Sequence, residues 1–131
     1  MRFLIDTHTF LWFSDGSLKL SPSARLLIAN KSNAIFLSIA SLWEISIKTS
    51  LGKLEVAGSY ELVLDDITKN GIEILPINFA HTVKQNQLPF HHRDPFDRMI
   101  ISQALVENMD LISRDDIFDA YMLNEPINRI W

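Results

Sequence analysis

The stretch His91-His92-Arg93-Asp94-Pro95-Phe96-Asp97-Arg98-Met99-Ile100 packs more chemically suggestive residues together than any other part of the chain, and the rest is read outward from it. Asp94 followed by Pro95 predicts a helix start, because an Asp side chain satisfies orphan amides and Pro suits the first helical position. Asp97 then falls in the first turn. Phe96, Ile100 and Ala104, with Ile101 and Leu105, recur at helical spacing, which turns one face to a core and leaves Asp97 near its mouth. A plainer explanation fits the same residues: Asp94 as a cap and Asp97 as a favourable charge at the positive end of a helix. The other acidic residues must decide between them.

A chain of 131 residues predicts one domain with one core and no separate regulatory module. With 47% hydrophobic and 21% charged residues it belongs to the globular class. Cysteine is absent, which excludes disulfides, thiolate metal sites and a cysteine nucleophile, and suits a reducing cytoplasm. Asp6 interrupts what would be the apolar core of a signal peptide, and no apolar run reaches membrane-spanning length, so a cytoplasmic protein is expected. The formal charge is −4, from 12 basic and 16 acidic residues, which looks wrong for a nucleic-acid partner. If four of the acids surround divalent cations, twelve remain against twelve, and the metal supplies positive charge where a phosphate would sit.

From the amino terminus, Arg2–Ile5 reads as a strand ending at Asp6, followed by a helix through Phe10-Leu11-Trp12-Phe13. An Asp there lies at the strand mouth, where open α/β sheets collect ligands, and it is equally an N-cap for the next helix. Ser21-Pro22-Ser23 starts a helix to about Asn30, and residues 34–38 form a second, buried strand. Residues 39–48 form a helix ending near Gly52. Glu44 is flanked there by Leu42, Trp43, Ile45 and Ile47, so its carboxylate needs a partner, either Lys48 one turn on or a metal ion. A helix over 60–69 stops at Asn70-Gly71, with Asp65 and Asp66 on its solvated side. Residues 72–77 form a third strand, 80–87 a short helix, and the opening stretch a helix to Asn108. Residues 110–113 form a fourth strand, 117–121 a helical turn, and 127–131 a weakly specified edge strand. The alternation predicts a three-layer α/β/α sandwich around a mostly parallel sheet with right-handed crossovers.

In a parallel sheet Asp6, Glu44, Asp97 and Asp115 all fall at one edge. Clustered like charges disfavour ionisation unless cations are bound. Hard oxygen ligands in an open arrangement suit Mg²⁺ or Mn²⁺, which accept phosphate oxygens as further ligands and promote in-line displacement at a phosphodiester. That is nuclease chemistry.

The order and spacing of Phe3-Leu4-Ile5-Asp6-Thr7-His8, Ser41-Leu42-Trp43-Glu44-Ile45, Asp94-Pro95-Phe96-Asp97-Arg98-Met99-Ile100 and Ser113-Arg114-Asp115 resemble a PIN-domain protein, with VapC toxins of bacterial type II toxin–antitoxin modules as the nearest likeness. The resemblance covers residues 1–131. It implies a Mg²⁺- or Mn²⁺-dependent endoribonuclease that cleaves structured or single-stranded RNA, commonly tRNA or ribosomal RNA, by metal-activated water. The metal-binding and catalytic acids it implies are Asp6, Glu44, Asp97 and Asp115, with Asp116 a competitor for the fourth place and Asp94 a cap or outer group. Thr7 and Ser113 would orient water or carboxylates through their hydroxyls. It further implies a small antitoxin partner in an apolar groove, for which Leu11, Trp12, Phe13, Trp43 and Ile47 are candidates, and a homodimer.

Lys48, Lys53, Arg93, Arg98 and Arg114 are candidate phosphate contacts, although surface charge or ion pairing explains them equally well. His91 and His92 have the intrinsic pKa of general acids but read more simply as solvated loop residues. The alternatives are a catalytically silent PIN-like scaffold and a Mg²⁺-binding phosphoacceptor signalling domain. The latter needs a nucleophilic Asp at the end of a middle strand and a Lys at the end of a later one, where the third strand here ends Leu75-Pro76-Ile77.

Overall fold

The computed structural model describes residues 1–131. Five strands, β1 (Arg2–Ile5), β2 (Ala34–Ser38), β3 (Glu73–Leu75), β4 (Asp110–Ile112) and β5 (Arg129–Ile130), form one sheet in the order β3-β2-β1-β4-β5. Every neighbouring pair is parallel, with Leu4 opposite both Phe36 and Leu111. Six α-helices accompany them: α1 (Thr7–Asp15), α2 (Pro22–Ala29), α3 (Ile39–Ser50), α4 (Val63–Lys69), α5 (Phe79–Gln87) and α6 (Pro95–Glu107). Two 3₁₀ turns, Tyr60–Leu62 and Asp116–Tyr121, complete the order. This is the expected α/β/α sandwich.

Alternation along β1 divides the core. Phe3 and Ile5 join Phe10, Ala24, Ile28, Ile45 and Ile67 on one face, while Leu4 joins Ile100, Ile101, Ala104 and Phe118 on the other. Successive side chains on a strand point to opposite faces, so a central strand of fully buried Leu4 and Ile5 must be covered on both. The chain lays β1, β2 and β3 outward in one direction and then returns to place β4 and β5 on the other side of β1. The direction reverses between β1 and β4, and the crevice outside their carboxyl ends is where this topology collects ligands.

The edges are shorter than the sequence suggests. β3 covers only Glu73–Leu75 of the expected 72–77, because Pro76 lacks the amide that would continue the ladder and the strand is an exposed edge. β5 covers Arg129–Ile130 alone. The helix expected over 60–69 begins as a 3₁₀ turn and becomes α-helical only at Val63. Asp66 is half-buried rather than solvated, since its carboxylate accepts the Ser14 hydroxyl across to α1.

The loop between α5 and α6 is held from within by Arg98. Its side chain is buried, and its guanidinium donates to the carbonyls of Gln85 (3.0 Å), Leu88 (3.2 Å), Pro89 (2.9 Å) and His92 (3.4 Å). The Phe90 ring lies 3.9 Å from the guanidinium carbon and covers it. Arg98 is therefore an internal clamp and not a phosphate contact. Lys cannot reproduce the planar fork of donors. Arg98→Lys should lower unfolding free energy in urea by about 3 kcal/mol, because several buried carbonyls lose a charged donor at once; an unchanged urea midpoint would show that the clamp is dispensable.

Candidate functional site

Each acidic side chain at the switch point is fixed by a donor that the local fold supplies. Asp6 follows β1 with extended backbone and caps α1, accepting the Thr9 amide at 3.0 Å through Oδ1. Its Oδ2 accepts the hydroxyl of Ser113, the residue after β4. One carboxylate thus ties β1, α1 and the end of β4. Asp6 is only 5% exposed, and this burial pushes its pKa up, against the lowering effect of the Ser113 and Thr9 hydrogen bonds and the nearby charge of His8.

Glu44 lies in the second turn of α3, also 5% exposed. Thr7 donates its hydroxyl to Oε1 at 2.7 Å, and Lys48 donates to Oε2 at 2.7 Å. The Thr7 oxygen lies 2.9 Å from that of Ser41, and since its own proton goes to Glu44 it accepts from Ser41. The i,i+4 pair with Lys48 therefore exists, and the hydrogen bond to Glu44 raises the Lys48 pKa, assisted by Asp94 and Asp97. Glu44 nonetheless faces the other acids, because its charge reaches Asp97.

Asp94 caps α6, accepting the amides of Phe96 (2.8 Å) and Asp97 (3.0 Å), with Pro95 at the first helical position. Asp97 projects from that first turn. Its pKa is pushed up to about 8, first by burial and then by the charges of Asp94, Asp6, Glu44 and Asp115. Asp115 caps the 3₁₀ turn through the Ile117 amide at 3.1 Å, and its own amide donates to Ser113. Asp6, Glu44 and Asp115 thus all act on Asp97. Asp116 is exposed beside them.

His92 joins this group. Its Nε2 lies 2.9 Å from Asp115 Oδ2 and 3.1 Å from Asp97 Oδ2, and its side chain is only 12% exposed. The Asp94 amide, which can only donate, points at Nδ1 at 3.2 Å, so Nδ1 carries the lone pair and Nε2 the proton shared between the two carboxylates. The His92 amide donates to Tyr121 Oη at 2.8 Å, and the ring rests on Phe118. Sequence reasoning left His92 a solvated loop residue. The signal that could have found it is its position two residues before the cap, where an Nδ1 bond to the capping residue's amide turns the ring inward. His91 is exposed, with its ring against Tyr121.

The donor set fits a hard divalent cation. All candidate ligands beyond His92 are carboxylate oxygens, and burial together with the neighbouring acids pushes the Asp97 pKa up to about 8. His92, Asp97 and Asp115 each offer a ligand atom within 4.8 Å of the others.

Of the candidate cations, Lys48 is committed to Glu44 and Arg98 to its loop, while Lys53, Arg93 and Arg114 are exposed. The candidate antitoxin groove divides, because consecutive helical residues point about 100° apart. Leu11 and Trp12 line a cleft toward α3, Phe13 lines a separate one against the end of α2, and Trp43 packs edge-on against Phe96, at 5.6 Å.

The family model described as the PIN domain matches residues 3–122. Among solved structures, the chain is similar to VapBC2 from Rickettsia felis bound to a DNA fragment from their promoter, at 19% identity over 98% of both chains and a TM-score of 0.71. It is also similar to VapBC-5 from Mycobacterium tuberculosis, a member of the VapBC family of toxin–antitoxin systems, at 16% identity over 98% of this chain and 97% of that one, with a TM-score of 0.65. FitAcB from Neisseria gonorrhoeae matches at 16% identity over 96% of each chain, with a TM-score of 0.60. No curated protein matches the sequence.

The raised Asp97 sets a pH signature. Its folded pKa of about 8 stands above the unfolded value of 3.8, so between those limits the native state binds the extra proton and stability falls as pH rises. In chelator, the urea midpoint should drop steadily from pH 5 to pH 8, with a limiting slope of about 1.4 kcal/mol per pH unit for one group. Asp97→Asn should flatten that profile, and Mg²⁺ added at pH 8 should restore the parent's midpoint; an identical profile in parent and variant would refute the assignment.

Proposed function

The chain belongs to the PIN-domain family, and from that premise we propose that it is the toxin of a type II toxin–antitoxin module, acting as a Mg²⁺- or Mn²⁺-dependent endoribonuclease over the whole of residues 1–131. The observation that carries this reading is the gathering of four carboxylates from four separate segments at the switch-point edge, where burial and then the neighbouring acids push the Asp97 pKa up to about 8. Silent scaffolds have no use for such a burden.

Asp6, Glu44, Asp97 and Asp115 would hold the metal. When bound, it would lower the charge a phosphate must approach and polarise the phosphodiester under attack. The protein's own residues keep the acids in place. Ser113 and the Thr9 amide fix both oxygens of Asp6, and Thr7 fixes one oxygen of Glu44 while Lys48 balances its charge. His92 spans Asp97 and Asp115 and holds the second pair of carboxylates together in the absence of a cation.

The structures of VapBC and FitAB systems support a small antitoxin as the physiological partner. No helix of this chain is long and apolar enough to cross a membrane. We propose a cytoplasmic site of action on tRNA or ribosomal RNA, with the toxin paired as a homodimer.

Asp6→Asn and Asp97→Asn should each abolish Mg²⁺-dependent cleavage of RNA, a loss of at least 100-fold, while keeping a cooperative unfolding transition. Expression should arrest growth, the small open reading frame beside the gene should relieve that arrest, and Asp6→Asn should not arrest growth at all. Purified Asp97→Asn that cuts RNA as fast as the parent would overturn the site assignment.

A further inference from the structure

Beside the acids runs an aromatic ridge that the reading above leaves unused. Asp6 caps α1, which puts His8 in the first turn and Trp12 one turn further on the same face. Their ring centroids are 5.5 Å apart with 35° between planes, and the edge of Trp131 supports Trp12 from behind at 5.9 Å. Trp12 is half-buried and His8 exposed, so the pair has a fixed base and an open upper surface.

Two clefts meet at this ridge. One, of about 350 Å³, is lined by Asp6, His8, Trp12, Arg114, Asp115 and Asp116, and so contains two of the proposed metal-binding acids. The other, of about 250 Å³, shares His8 and Trp12 and is lined on its far side by Lys48 and Lys53. Arg98 and Arg129 spend their guanidinium groups inside the protein, on loop carbonyls and on Asp119 respectively. Arg114 and Lys53 are exposed and their side chains bond to nothing in the chain, so each of the two clefts that share His8 and Trp12 has one free cation in its lining.

We propose that the His8–Trp12 ridge is the stacking ledge for one unpaired base of a single-stranded RNA, with the flanking phosphates met by Arg114 on the acid side and Lys53 on the other. The inference rests on the ribonuclease reading and adds the residues of this chain that would receive the substrate beside the acids. A base can lie on a protein ring only where it has left its own stack, which selects single-stranded or looped RNA over a duplex. A chain of net charge −4 also cannot attract RNA by its overall field, so contact must come through local cations such as these. The acid cleft lies on the Arg114 side, which puts the bond to be cut next to the stacked base.

The test measures binding apart from cleavage. In an Asp97→Asn background with Mg²⁺, a fluorescently labelled ten-nucleotide single-stranded RNA is titrated and followed by anisotropy. Adding His8→Ala or Trp12→Leu should weaken binding about fivefold or more. Arg114→Gln should reduce the slope of log affinity against log salt by about 0.7. The same sequence presented as a duplex should bind no better to the Asp97→Asn protein than to its His8→Ala derivative. Trp12 contributes to the core and its loss risks unfolding, so exposed His8 is the deciding position. If the parent cleaves RNA but His8→Ala leaves single-strand affinity unchanged, the ledge is overturned and the ribonuclease reading stands. If the parent neither binds nor cleaves RNA, both fall. If the ridge variants release a co-expressed antitoxin while RNA affinity stays constant, the ridge is a protein-docking surface and the proposal is wrong.

Discussion

Like charge held together out of water is the constraint on which this molecule turns. Burial alone pushes Asp6 up, and burial with four neighbouring acids pushes Asp97 to about 8, so the fold carries at its switch point an arrangement that opposes its own stability. It tolerates this because each acid is tied to a different element by a short polar contact. Ser113 and Thr9 hold Asp6, Thr7 and Lys48 hold Glu44, and His92 lies between Asp97 and Asp115. The parallel sheet supplies the rigid frame, and the reversal of strand order between β1 and β4 opens the space.

Three of the acidic positions do two tasks. Asp6 and Asp115 each start a helical segment with one oxygen and keep the other toward the cluster, and Asp94 starts α6 so that Asp97 projects from its first turn. Structural and chemical explanations, which compete when the sequence is read one residue at a time, are therefore compatible at these positions. Helix N-termini favour negative charge, and segments begun at the carboxyl end of a parallel sheet bring that preference to one edge. The same economy of placement explains why Lys48 pairs with Glu44 without excluding it from the group.

Much of this was legible in the chain because it rests on local rules. The Asp–Pro start of α6, the apolar runs of β1 and β2 and the Asn70-Gly71 stop are decided by neighbours in sequence, and they came out where expected. The four acids could be placed at one edge once the strands were taken as parallel. Less legible were residues whose role depends on long-range closure. His92 is turned inward by the Asp94 amide and by Tyr121, which lies 29 positions on. Arg98 looked like a surface cation because nothing local announces that four carbonyls of the preceding loop fold around it. Leu11, Trp12 and Phe13 in α1 suggested one groove, but a helical turn distributes them over different surfaces.

The Arg98 clamp has an evolutionary side. It grips the segment from Gln85 to His92 through main-chain oxygens, which every amino acid possesses, and reads one side chain there, the Phe90 ring that lies over the guanidinium. Asn86, Gln87 and His91 point outward on a backbone whose course is already determined. Their identities are free to drift while His92 stays in register with the acids. A rim beside the acidic cluster can therefore change its surface by substitution without losing its shape.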